Sequence, residues 1–520
     1  MPTSVLRSAR VISILTIVSR IAGMARDMAF SYRFGTGSEM SAFALAFQIP
    51  NLFRRLFGEG ALSASAIPVL TESLHRDGLS EMRDVVGRLI GLLMAVLIAI
   101  CVIAEIVIAG LYLIYQDRAD TALAIELSAV LMPFMILICT GALLGGIENV
   151  HGRFALPASM PTVINIVQIA AALMAPYVLP GNIRAQLFLQ CGSVLVGGLA
   201  QLWLQWWGVW RCGVHFKLSL DWHHPAIRRI AVTMIPMAVG LGVVQLNVYM
   251  DSMIAWWFVY DPPVAGMKGE RPGTAVLYYA IHLYQFPLGV FLVALATAIF
   301  PALAKHAAEK DIPGLRDTLA RGIRVALLIS IPCMVGMFLV REPLVRVFFA
   351  RGVFNKIPNA DQRVALALAM FVSALWAYGL NHLVTRAFYS LQDAKTPMKI
   401  AVGSVFLNLA LNLILVQTAL REAGLALSTA ISAVFQCAVM TIILRKRIGR
   451  MGWRRTIPSA MRTVLASVVM AAAVIAVDRL VFAGAKDVIR LGAMLVTGGI
   501  SFLAAVLALR CEEFHDVLHR

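Results

Sequence analysis

Apolar runs long enough to cross a bilayer recur along almost the whole of this chain, and no long polar stretch is left over for a soluble domain. A bilayer core about 30 Å thick needs roughly 20 apolar residues per helical span. Spans are expected near 10–35, 40–74, 84–115, 121–149, 156–180, 184–211, 225–260, 274–306, 313–341, 361–392, 396–418, 422–446, 456–482 and 487–510. This predicts an all-α polytopic membrane protein with about fourteen transmembrane helices. Composition agrees: 60% of the residues are hydrophobic and 14% charged, against about 45–50% and about 25% in soluble domains.

The net charge of +17 would fit a nucleic-acid partner if the basic residues formed one face. They sit instead in short loops between spans, as in Arg445-Lys446-Arg447 and Arg454-Arg455, so no nucleic acid is expected. With the N-terminus inside, about 26 Lys and Arg fall on the cytoplasmic side and about 14 outside, several of those between Arg341 and Arg363. That asymmetry predicts two cytoplasmic termini. Arg7 and Arg10 before an apolar run look like a signal peptide, but Ser19–Arg20 breaks the run and a retained first helix is expected. The seven cysteines form no CxxC pair, which argues against a disulfide framework or a thiolate metal site.

The two halves are weakly self-similar. Phe47-Gln48-Ile49-Pro50 is echoed by Tyr284-Gln285-Phe286-Pro287, and Ala66-Ile67-Pro68-Val69-Leu70 by Ile299-Phe300-Pro301-Ala302-Leu303. Arg153-Phe154-Ala155-Leu156-Pro157 with Asn165 is echoed by Asp393-Ala394-Lys395-Thr396-Pro397 with Asn408. An offset of about 240 residues is six spans, an even number, so the repeats should be parallel and related by an axis along the membrane normal. The expected division is a lobe at 1–218, a second lobe at 219–450, and two additional helices at 451–520.

An ionisable side chain within a span costs about 2.5–3.5 kcal/mol on insertion scales, so it normally faces a partner or a water-filled cavity. Such residues concentrate in the first two spans. The first holds Arg20, Arg26 and Asp27; the second holds Arg54, Arg55 and Glu59. At 100° per residue Arg20, Gly23 and Asp27 share a stripe while Arg26 points elsewhere, so a bend at Gly23 is expected if both arginines meet one ligand. Arg55 and Glu59 stand at i, i+4 and can neutralise each other, which leaves Arg54 as the freer cation. These arginines either hold helix and loop contacts or line an anion cavity, and guanidinium geometry suits phosphate oxygens.

A fainter set comprises Asp251, Asn408, Asn412 and Ser428, with Thr429 beside it. One carboxylate with amide and hydroxyl oxygens is a hard-cation ligand set, and equally the material of ordinary interhelical hydrogen bonds. No G-x-x-x-x-G-K-[ST] loop occurs, so nucleotide hydrolysis at such a site is excluded. Trp203, Trp206, Trp207 and Trp210 read as an interfacial belt.

Ser19-Arg20-Ile21-Ala22-Gly23-Met24-Ala25-Arg26-Asp27 with Phe34-Gly35, together with Pro50-Asn51-Leu52-Phe53-Arg54-Arg55-Leu56-Phe57-Gly58-Glu59-Gly60-Ala61, resembles the first two helices of the MurJ/MviN lipid II flippase family. Phe388-Tyr389-Ser390-Leu391-Gln392-Asp393-Ala394-Lys395-Thr396-Pro397 and Phe286-Pro287-Leu288-Gly289-Val290 are similar to further segments of it. The resemblance covers about residues 7–450 and thins over the last two helices. It implies the multidrug/oligosaccharidyl-lipid/polysaccharide exporter fold, with the added helices grooved for a polyprenyl tail. It implies lipid II as cargo and a multi-pass protein of the bacterial inner membrane, acting as a monomer among membrane lipids. The family's cavity arginines map onto Arg20, Arg26 and Arg54, with Asp27, Arg55 and Glu59 beside them. Some members place sodium at positions matching Asp251, Asn408, Asn412 and Ser428, and no other cofactor is implied.

Two departures stand out. Ser41 replaces a frequent aspartate, and His282 and Gln285 stand where the family carries an arginine and a glutamate. The mechanism implied is alternating access, with the diphosphate on the arginines. The alternatives are an exporter of another polyprenyl-linked glycan or of multidrug-type cargo, and a polyprenyl-phosphate glycosyltransferase. A drug-cation exporter should have an acidic cavity, and a glycosyltransferase should carry acidic residues on a substantial loop; neither is found.

Overall fold

The computed structural model describes residues 3–58, 61–263, 268–449, 452–481, 484–511 and 513–514. Lipid offers backbone groups no hydrogen-bond partner, so a chain of apolar runs satisfies them within helices. The described residues are accordingly helical, apart from turns, loops and a single antiparallel bridge between Asp261 and Glu270. In chain order the helices are α1 (Thr3–Phe34), α2 (Ser38–Phe53), α3 (Ala61–Arg76), α4 (Gly78–Tyr115), α5 (Ala119–Leu131), α6 (Phe134–Val150), α7 (Ala155–Val178), α8 (Ile183–Arg211) and α9 (Pro225–Phe258). There follow α10 (Gly273–Pro287), α11 (Ala294–Ala308), α12 (Ile312–Phe349), α13 (Ala360–Val372), α14 (Leu375–Ser390), α15 (Lys395–Leu415), α16 (Glu422–Ile448), α17 (Trp453–Leu480) and α18 (Asp487–Ala508).

Several expected spans are broken. After Pro50, α2 passes into a π-helical turn at Arg54–Gly58; after Pro287, α10 passes into another at Leu288–Val293. Proline cannot donate its backbone hydrogen bond, and single π turns are the usual local accommodation. The repeated Pro50 and Pro287 segments therefore carry the same interruption. Ten of the described helical stretches are long and apolar enough to cross a membrane, or eleven if α13 and α14, bent by 41°, count as one. The count of fourteen thus remains an expectation.

The chain divides into two compact units. The first comprises Met1–Met253, Asp261–Ala275 and Gly352–Phe354, the second Ile254–Tyr260, Val276–Arg351 and Asn355–Arg520. In the first unit Leu70, Val86, Ile90, Leu97, Leu144 and Ile147 form the core joining α3, α4 and α6. The connection after α8 lies along α4, where Ser219 N–H donates to the Gly87 carbonyl at 3.3 Å. A Cβ at Gly87 or Gly91 would overlap the carbonyl oxygens of Lys217 and Ser219, so both positions need glycine. Arg83 clamps the start of the connection through the Gly213 carbonyl at 3.0 and 2.5 Å.

At the opposite end Glu270 accepts the Ser38 N–H at 2.6 Å, and Arg271 N–H donates to Ser38 Oγ at 2.9 Å. Ser41 is buried and accepts the Ala275 N–H at 3.0 Å. It satisfies one of the orphan donors of α10's first turn. Burial raises the Glu270 carboxyl above its ordinary value, against the lowering effect of the Ser38 backbone bond.

In the second unit α17 and α18 pack on α12 through Val340, Met470, Val474, Leu491 and Met494. Asp478 and Arg490 close the α17–α18 turn with a two-oxygen ion pair at 2.5 and 2.8 Å. Many apolar side chains face outward, among them Ile103, Ile106, Leu113, Met461 and Ile500, as lipid contact requires.

Candidate functional site

Helix α1 runs without interruption through Gly23, so the bend expected there gives way to a continuous helix. Arg20 and Arg26, six residues apart, therefore leave the helix about 120° from each other. Arg26 does not aim into the stripe shared by Arg20 and Asp27. Its Nε–H and an Nη2–H both donate to Asp27 Oδ1, at 3.0 and 2.8 Å, and an Nη1–H donates to Asn165 Oδ1 on α7 at 3.1 Å. Asn165 in turn donates to the Ser19 carbonyl at 3.3 Å. The guanidinium also lies 5.7 Å from the centroid of Phe30, part of an aromatic pile with Phe34 and Phe43. Asp27 is buried, and much of Arg26's charge is compensated on the spot. Arg20, Arg26 and Arg54 are thus not alike, since Arg26 is held in an oriented ion pair.

Arg54 opens the π turn after α2, and its Nε–H donates to Asn51 Oδ1 at 3.2 Å. Arg55 donates to Gln245 Oε1 on α9 at 3.1 Å. Glu59, the partner expected for Arg55, lies outside the described residues. In a π turn the α-helical i, i+4 stacking that motivated the pair does not hold. Arg20, Arg54 and Arg55 are each half-buried.

The second unit holds His282 and Gln285, both on α10. His282 Nδ1 lies 2.7 Å from the Tyr278 carbonyl. A carbonyl only accepts, so the ring proton sits on Nδ1 and Nε2 remains an acceptor. The ring also stacks obliquely on Tyr278 at 4.3 Å. Gln285, one turn on, is half-buried.

Asn408, Asn412 and Ser428 are brought together on α15 and α16, all buried. Asn412 donates to Asn408 Oδ1 at 2.9 Å, Asn408 donates to Ser428 and Thr429 hydroxyls at 3.4 Å, and Ser428 donates to Asn412. This ring of mutual hydrogen bonds satisfies amide and hydroxyl groups from within; their oxygens are the donor chemistry of a hard-cation site. Asp251 belongs to the first unit and is half-buried there. Asp393, two residues before α15, accepts the Thr396 N–H at 3.0 Å and pairs with Arg447 at 2.5 Å. Desolvation would raise its carboxyl, but the Thr396 bonds and Arg447 hold it below the ordinary range.

Sequence reasoning passed over three carboxylates in apolar helices. Glu105 and Glu126 line one surface groove on α4 and α5, and buried Glu148 on α6 rests against Gly208 of α8. A lone carboxylate in an apolar run was the available signal. It also missed Glu81, Asp84 and His224, whose ligand atoms gather within 4.8 Å, with His224 Nε2 3.0 Å from Glu81. His224 is about 140 positions from the two carboxylates, which no local spacing reveals. The tryptophan group is exposed as expected of a belt, and Arg211 stacks on Trp207 at 3.7 Å.

The family model described as "Lipid II flippase MurJ" matches residues 30–491. The "Probable lipid II flippase MurJ" of Vibrio cholerae serotype O1 is 31% identical over 447 residues, covering 84% of this chain and 82% of that protein. The "Lipid II flippase MurJ" of Burkholderia cenocepacia is 29% identical over 450 residues, covering 85% and 84%. Among solved structures, "Lipid II flippase MurJ, inward closed conformation" superposes with a TM-score of 0.75 at 20% identity, covering 98% of this chain and 99% of that one. An inward-facing MATE transporter of the MOP superfamily superposes at 0.66 with 15% identity, covering 84% and 98%. At such identities the superpositions establish the fold.

Proposed function

The chain belongs to the lipid II flippase MurJ family, and we propose that it carries lipid II, the undecaprenyl-diphosphate-linked peptidoglycan precursor, from the inner to the outer leaflet of the bacterial cytoplasmic membrane. It is a multi-pass membrane transporter and not a catalytic enzyme. The observation that carries this reading is the family match across residues 30–491, which includes the Arg54 segment.

The mechanism is alternating access. The diphosphate docks on Arg20, Arg26 and Arg54 while they face the cytoplasm, and rearrangement then releases it outside. Guanidinium forks hold phosphate oxygens in pairs, which a point-charge ammonium cannot do. Asp27 and Asn165 take three of the five N–H groups of Arg26 and so fix the direction in which its guanidinium faces. Arg54, on a π turn, gains a direction that a regular helix would not give it. His282 and Gln285 add hydrogen-bonding groups to the substrate site. The tail stays in lipid beside α17 and α18, both termini are cytoplasmic, and the protein works as a monomer. Sodium at Asp251, Asn408, Asn412 and Ser428 biases the conformational equilibrium.

The test is complementation. Expression should restore growth to bacteria depleted of their own lipid II flippase, and the Arg54→Ala variant should not. Failure of the parent, at normal membrane levels, would overturn the cargo assignment.

A further inference from the structure

In the first unit, α4 and α5 border a groove of about 500 Å3 that opens onto the lipid-facing surface. Ile108, Leu113 and Ile125 make its walls apolar, with Tyr112 beside them. Two carboxylates line it. Glu126 is held by Arg184 of α8, through Nη2 at 2.6 and 2.5 Å from its two oxygens. Glu105 forms no hydrogen bond or ion pair among the described residues. It stands ten residues, about 15 Å of helix, before the end of α4 at Tyr115. A carboxylate there is expensive unless something pairs with it.

We propose that this groove binds a phospholipid with a primary ammonium headgroup, of the phosphatidylethanolamine type. The ammonium sits on Glu105, the phosphate meets Arg184, Ile108 and Ile125 flank the headgroup, and an acyl chain continues along α4 over the exposed Val102 and Ile98. Charge complementarity selects this occupant. An anionic headgroup, including the diphosphate of the cargo, would face two carboxylates. A quaternary choline head has no N–H to give Glu105. Arg184 is about half exposed and has further N–H groups beyond those used on Glu126.

The experiment is native mass spectrometry of the purified full-length protein in micelles doped equally with phosphatidylethanolamine, phosphatidylcholine and phosphatidylglycerol. The parent should retain phosphatidylethanolamine roughly tenfold over either competitor, as a charge-assisted hydrogen bond implies. Glu105→Gln should abolish that preference, and Glu105→Asp should keep part of it. Ala129→Phe, which fills the groove without touching the charges, should reduce retention of the favoured lipid and tests the site even if Glu105→Gln is poorly folded. Equal retention of the three lipids by the parent, or an undiminished preference in Glu105→Gln or Ala129→Phe, would overturn the proposal.

Discussion

Arg26 gives two N–H groups to a single oxygen of its neighbour Asp27, at 3.0 and 2.8 Å, so this cation of α1 is a pinned ion pair. Asn165, on α7, takes a third N–H at 3.1 Å and is itself tied to the Ser19 carbonyl. Removing one partner of a buried pair leaves an uncompensated charge, which costs about 3–5 kcal/mol. Asp27→Ala should therefore lower the melting temperature and the membrane level of the protein. Asn165→Ala should leave both nearly unchanged yet impair complementation, because it frees Arg26 to swing. If Asn165→Ala transports like the parent, the aim of Arg26 does not matter to function.

Arg54 and Arg55 are adjacent but differently held, the first by Asn51 and the second by Gln245. Arg54→Ala should abolish transport with the protein still in the membrane, and Arg54→Lys should rescue poorly because an ammonium loses the bidentate fork. Arg55→Ala and Gln245→Ala should be milder and should resemble each other. Equal severity at Arg54 and Arg55 would mean that the π turn does not separate their roles.

The fold class was legible because lipid enforces helices wherever apolar runs are long enough. The repeat was legible too, since Pro50 and Pro287 mark the same interruption in each half. What escaped was tertiary. Nothing local to Arg26 announces Asn165, and an α-helical i, i+4 rule applied to Arg55 cannot anticipate a π turn. Gly23 looked like a bend because glycine permits one. The helix continues there, where an added Cβ would meet only the Asn165 side chain at ordinary contact distance. Glu105 was visible in sequence as a lone carboxylate, but the groove it lines comes from the packing of α4 with α5.

The Asn408–Asn412–Ser428 ring is closed by its own hydrogen bonds, so a cation entering it must exchange amide contacts for metal contacts. Sodium should shift conformational probes in the parent, such as fluorescence or cross-linking reporters of inward and outward states. Asp251→Asn and Asn412→Ala should each remove the shift. If potassium and sodium act identically in the parent, the ring is packing and transport is driven by other gradients.

His282 gives its Nδ1–H to the Tyr278 carbonyl, which leaves Nε2 to face other partners. His282→Arg should retain transport, while His282→Phe should impair it. Unchanged transport by His282→Phe would assign the ring a purely structural part.

The most direct measurement is translocation of fluorescent lipid II in vesicles reconstituted with the purified protein, read as the rate at which inner-leaflet label becomes accessible outside. The account predicts a rate well above that of empty vesicles, lost in Arg20→Ala and Arg54→Ala variants that still reconstitute. A parent rate equal to that of empty vesicles, or full activity with both arginines removed, would contradict it.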